Sequence, residues 1–154
     1  MNRPTHAGLR HLALNVREMD AMKRFYVDLL GFAVEWEPDA DNVYLSSGYD
    51  NLALHRSTTL ATGRSSEPGT SRSTALAAGG ASGGASGASP LDHLGVIVRS
   101  AEDVDRWAAF LESHGVTLDA RPRTHRDGAR SCYFRDPDGN RVQIIHHPPI
   151  SQKI

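Results

Sequence analysis

Two distant stretches of the chain repeat one pattern: residues 9–16 read LRHLALNV and residues 91–98 read LDHLGVIV, so that His11 and His93 occupy equivalent places. Each run has the alternation of a short strand and leads into an amphipathic helix. In the first helix Met19, Met22, Tyr26, Leu29 and Leu30 share one face, and Gly31 stands where a left-handed glycine would end it. In the second, Ser100 with Asp103 three residues later forms an N-terminal cap signature. Val104, Trp107, Ala108 and Leu111 make its apolar stripe, and Gly115 closes it. Three further strands are expected after each helix, at residues 32–37, 42–47 and 51–55 and again at 116–120, 129–135 and 141–146. Asp136-Pro137-Asp138-Gly139 between the last two reads as a type I turn. The pattern is β-α-β-β-β twice, a duplicated module rather than a solenoid, whose repeats are shorter and more numerous.

Between the copies lies a change of composition. Residues 57–90 hold 22 Gly, Ala and Ser in 34 positions, too little apolar surface to offset the entropy of ordering, and are read as a flexible linker. The expected division is therefore residues 1–56 and 91–154 as modules, with 57–90 joining them. At 154 residues and 39 % hydrophobic composition the chain suits one compact core. Seventeen basic and 18 acidic residues give a net charge of −1, which supplies no field to recruit nucleic acid or an anionic membrane. No stretch approaches the roughly 20 apolar residues of a membrane span, and the opening residues lack a signal-peptide core. One cysteine, Cys132, excludes an intrachain disulfide framework and fits a reducing cytoplasm. Only Lys23 and Lys153 are lysines, a bias expected of GC-rich bacterial coding.

Strand parity sorts the polar residues. In the opening run His11 shares a face with Leu9, Ala13 and Asn15, opposite Leu12, Leu14 and Val16, which suit helix packing. In the repeat, His93 shares the non-helical face with Gly95 and Ile97. Gln143 lies with Arg141 and Ile145 on one face of the closing strand, and Ala53 is its first-module counterpart. His55 has the same parity as Ala53 and can reach a ligand from the rim. Four arginines and a histidine crowd residues 121–130, where a loop is expected. Arg126 and Arg130, flanking the turn into the Tyr133 strand, are candidates to clamp an anionic group.

With these features the sequence resembles the vicinal oxygen chelate superfamily, which includes glyoxalase I, extradiol dioxygenases, fosfomycin-thiol transferases and bleomycin-resistance proteins. The most specific stretch is SCYFRDPDGNRVQII, residues 131–145. The resemblance implies an α+β fold of two paired βαβββ modules forming a cup-shaped mixed sheet. A divalent metal (Fe, Mn, Zn or Ni) would sit on its inner face. It places the histidine ligands at His11 and His93, the third ligand at Gln143 where the family has Glu, and a substrate-orienting phenol at Tyr133. Replacing that carboxylate by an amide keeps an oxygen donor and removes a negative charge.

Two functions follow as expectations. One is a metal-dependent enzyme of the glyoxalase or dioxygenase type acting on a small substrate that chelates the metal through adjacent oxygens. The other is a metal-free small-molecule binding or drug-sequestering protein of the bleomycin-resistance type. Family members commonly dimerise, so a homodimer is expected, with neither nucleic acid nor membrane as partner. Deleting residues 77–89 is expected to leave stability within ~2 kcal/mol of the parent in urea denaturation, since these residues offer no apolar burial.

Overall fold

The computed structural model describes Thr5, residues 8–58 and residues 91–153, so most of the Gly/Ala/Ser-rich segment lies outside the described residues. The first copy of the pattern forms β1 (His11–Val16), α1 (Met19–Arg24) with a π-helical continuation (Phe25–Leu29), β2 (Ala33–Asp39), β3 (Asn42–Ser46) and β4 (Asn51–Arg56). The second forms β5 (Leu94–Ile97), α2 (Ala101–Ser113), β6 (Leu118–Thr124), β7 (Arg130–Arg135) and β8 (Arg141–His146), followed by a short α3 (Pro148–Ser151). Each copy builds one four-stranded mixed sheet, in the orders β1-β4-β3-β2 and β5-β8-β7-β6. The fold is α+β with two paired modules of the same topology.

In both sheets the first and last strands of the module pair in parallel and the others antiparallel. A parallel connection needs a crossover, and the helix between them supplies it. Helix α2 is fixed at its start by a reciprocal cap. Ser100 Oγ accepts from the Asp103 amide at 3.2 Å, and Asp103 Oδ2 accepts from the Ser100 amide at 3.1 Å. Gly31 and Gly115 take φ of +77° and +80° past the two helices, a backbone region that L side chains rarely adopt.

Leu14, Val16, Leu52, Leu54, Val43 and Leu45 from the first sheet join Met19, Met22 and Tyr26 of its helix in the core. The same continuous cluster takes in Val104, Ala108, Leu111, Cys132, Phe134, Val142 and Ile144 of the second module. Full burial of each large apolar side chain contributes roughly 1.5–3 kcal/mol. The two modules also meet through defined polar contacts. Tyr26 donates to Asp136 Oδ2 at 3.0 Å, the Arg17 amide donates to Asp138 Oδ2 at 2.6 Å, and the Phe25 and Phe134 rings lie 6.1 Å apart. Thus the first helix is clipped onto the Asp-Pro-Asp-Gly turn of the other module.

Several elements differ from the sequence reading: β5 begins only at Leu94, which leaves His93 just before it, and the closing α3 was not expected. The first helix ends in π geometry, Leu30 N donating to Phe25 O at 3.1 Å, so the side chains at its C-terminal end leave the 3.6-residue spacing. Strand β6 starts two residues late and runs on to Thr124, so Arg121, Pro122 and Arg123 stand in a strand and not in a loop. Its edge position and irregular register with β7 make room for the proline, whose missing N–H would break an inner ladder. Among the described residues, no helix is long and apolar enough to cross a membrane.

Asp136 is buried and accepts from Tyr26, the Asp138 amide, and the amide and side chain of Asn140. Burial pushes its carboxyl above the usual range while these hydrogen bonds, Tyr26's included, pull it back. With its folded pKa raised, this group's contribution to stability is greatest in acid and falls as pH rises through the raised value. Tyr26→Phe removes a donor and lifts that pKa further. It is expected to cost about 1–3 kcal/mol at neutral pH and less in mild acid, read from urea denaturation at the two pH values.

Candidate functional site

Because α1 and α2 cover one face of the sheets, strand alternation leaves His11, Ala13 and Asn15 of β1 exposed while Leu14 and Val16 are buried. The parallel registers then fix the equivalences. Ala13 pairs with Ala53, and Gly95 pairs with Gln143, each two residues beyond its module's histidine. Hence the second module presents an amide where the first presents a methyl group. A Cβ on Gly95 would lie 3.4 Å from Gln143 Oε1, so glycine there leaves the amide oxygen uncrowded.

The second module gathers five side chains. His93, immediately before β5, is held through Nδ1 by Asp92 Oδ1 at 2.5 Å. That bond, assisted by the nearby Arg141 charge, keeps the Asp92 carboxyl below its ordinary range. The His93 ring stands edge-on to Tyr133, with centroids 5.5 Å apart. Tyr133 pairs with Gln143 across β7 and β8, and Gln143 Nε2 donates to its hydroxyl at 2.7 Å. Both residues are buried, and the guanidinium of Arg141 lies 4.2 Å above the centre of the phenol.

The first module gathers a different set around His11. Asn51 Nδ2 donates to Glu35 Oε2 at 2.6 Å, which turns Asn51 Oδ1 toward His11 Nδ1 at 2.8 Å. An amide oxygen only accepts, so His11 carries its proton on Nδ1. Glu35 reaches this face through a bulge: Val34 pairs with Leu45 and Trp36 with Tyr44, leaving residue 35 as the extra one in β2. Trp36 stacks on Tyr44 at 5.1 Å, and Tyr44 meets His55 edge-on at 5.7 Å. His55 is half-buried and anchored by Nδ1 to Asn42 Oδ1 at 2.7 Å.

The structure thus brings His93, Tyr133 and Gln143 together, and in the other module places His11 with Asn51 and Glu35, and His55 with Asn42 and Tyr44. Among the described residues, no three His, Cys, Asp or Glu side chains converge as a metal-binding group. The two arginines part company. Arg130 faces α2, where Asp105 receives it at 2.8 and 2.5 Å, on the opposite side of β7 from Tyr133. Arg126 is exposed in the turn after β6, beside a surface hollow of ≈ 540 Å³ lined by residues 123–127. Cys132 is buried, and burial pushes its thiol up to about 11, which leaves it unreactive. Asp92, Asn51, Glu35 and Arg141 were not singled out from the sequence. Arg141 shares the parity of Gln143 and Asp92 adjoins His93, so both left a signal, whereas the bulge that turns Glu35 left none.

The profile of the Glyoxalase/Bleomycin resistance protein/Dioxygenase superfamily matches residues 8–144. A lactoylglutathione lyase from Agrobacterium tumefaciens superposes with a TM-score of 0.66 at 21 % identity, over 93 % of this chain and 96 % of that one. A glyoxalase/bleomycin resistance protein/dioxygenase from Alicyclobacillus acidocaldarius gives 0.61 at 18 % identity, over 92 % of each chain. A glyoxalase family protein from Enterococcus faecalis gives 0.60 at 24 % identity, over 91 % of this chain and 98 % of that one. At these identities the solved structures speak to the fold, and the profile match, which spans both modules, speaks to descent. The chain belongs to the glyoxalase/bleomycin resistance protein/dioxygenase superfamily.

Proposed function

We propose that this protein is a small metal-dependent enzyme acting on a substrate that offers two adjacent oxygens to a divalent ion, with His11, His93 and Gln143 as the protein's donors. The observation that carries the reading is the matched anchoring of the two histidines. His11 Nδ1 is tied to Asn51 Oδ1 and His93 Nδ1 to Asp92 Oδ1, which leaves Nε2 as the remaining ring nitrogen of each. Metal-binding histidines are oriented by this kind of bond, which fixes tautomer and ring angle. Gln143 fits the same purpose, since its Nε2 is engaged by Tyr133 and its Oε1 remains available. Two imidazoles and an amide oxygen suit Fe(II), Mn(II), Zn(II) or Ni(II). Such an ion supplies Lewis acidity when bound.

Tyr133 takes the role of a hydrogen-bond donor. Its oxygen already accepts from Gln143, so its own proton is directed to a substrate oxygen. Arg126, exposed beside its hollow, and His55, on the open face of the first sheet, are candidate contacts for the remote part of the substrate. The two histidines sit in separate clusters of one chain, and we therefore place the complete donor set between the first module of one copy and the second module of another. The protein is accordingly proposed to work as a homodimer in the bacterial cytoplasm.

Elemental analysis of tag-free protein, including anaerobic iron loading, is expected to find near-stoichiometric metal, lost in His11→Ala. Co-folding His11→Ala with His93→Ala subunits should restore one site per heterodimer, and restoration in neither would refute the shared site. Gln143→Glu is expected to bind divalent metal more tightly and to gain thermal stability only when metal is present. A protein that takes up no metal in either form would instead be a metal-free ligand-binding member of the superfamily.

A further inference from the structure

We infer that Arg141 is the anion-recognition residue of the second-module face, and that the ligand it receives is a small carboxylate with an oxygen on the adjacent carbon. Strand parity puts Arg141 beside Gln143 on β8, across from Tyr133 on β7. Its guanidinium is held 4.2 Å above the Tyr133 ring, which fixes the plane of the fork before any ligand arrives. Its Nε is buried and lacks a hydrogen-bond acceptor. That is unusual for this chain. Among the described arginines no other guanidinium nitrogen is buried without an acceptor, and among the described residues no carboxylate lies within ion-pair distance of Arg141.

A buried N–H without an acceptor is a standing demand for one. A planar carboxylate meets the guanidinium with two parallel bonds. A second oxygen on the next carbon then falls toward the Tyr133 hydroxyl on the adjacent strand, which can donate to it. The inference rests on reading this open face as the ligand site, and it is independent of whether a metal is held there.

The test uses the full chain freed of metal by chelation, titrated with oxamate and with its neutral counterpart oxamide. Oxamate is expected to shift the Arg141 Nε–H resonance and to release heat on binding, and oxamide to do neither. Arg141→Gln should weaken oxamate binding about tenfold or more, and Arg141→Lys should recover only part of it, since it restores the charge without the fork. Arg106→Gln, an exposed change on α2, should leave it unaltered. Circular dichroism verifies that each variant is folded. Equal oxamate affinity in the wild type and Arg141→Gln, or no binding by the wild type, overturns the inference. Metal uptake by the same proteins is measured separately. Oxamate binding through Arg141 in a chain that takes up no metal would sink the proposed metal chemistry and leave this inference standing, and metal uptake without oxamate binding would do the reverse.

Discussion

The arrangement depends on one constraint, the parallel pairing of the first and last strands of each module. Parallel neighbours need a crossover, and a crossover helix must lie over one face of its sheet. That face becomes the core, and in β1 it takes Leu14 and Val16 while His11 and Ala13 are left outside. The same rule acts in the second sheet, where Val142 and Ile144 pack inward and alternate with Arg141 and Gln143. Polar residues of both sheets therefore share the uncovered faces without any need for a dedicated loop. Sheet residues hold their positions more rigidly than loop residues, so the candidate site inherits the stiffness of the ladders.

Duplication then allows the two halves to diverge at matched positions. Ala53 and Gln143 occupy the same register, opposite Ala13 and Gly95. The first face carries an acid, Glu35, beside an exposed indole and a half-buried phenol. The second carries a cation, Arg141, over a buried phenol. His11 stands on the first face and His93 beside the second. A site that needs both histidines must draw on both kinds of face, so the sequence asymmetry between the modules is what makes one complete site different from two weak ones.

How much of this could be read from the sequence depended on how local the cause was. The repeat, the stripe of α2, the Ser100 cap, the two closing glycines and the parity of His11 and Gln143 are all set by residues within one turn or one strand, and each is found where the pattern put it. The bulge at Glu35 is set by β3, a strand away, and no alternation in β2 announces it. Arg130 looked like part of an anion clamp because of its neighbours in sequence, yet parity with Cys132 and Phe134 turns it toward Asp105 on α2. The same parity argument, applied to β8, would have pointed to Arg141 instead. Charge density along a chain is thus a poorer guide to a site than charge counted on one face of a strand.

The amide at position 143 alters the balance of forces around it. A glutamate there would accept a hydrogen bond from Tyr133 and bring a negative charge toward Arg141, so the phenol's proton and the guanidinium would both be drawn inward. With glutamine the direction reverses: Gln143 Nε2 donates to the phenol, which keeps its own proton for an external oxygen. Among the described residues no carboxylate lies within ion-pair distance of Arg141, and its Nε remains without an acceptor. A neutral residue at this position therefore leaves a phenol and a guanidinium on adjacent strands with no carboxylate of β8 between them. A site built this way favours an incoming anion where a carboxylate-bearing site would repel it, and the negative charge that the protein does not supply is brought by the ligand.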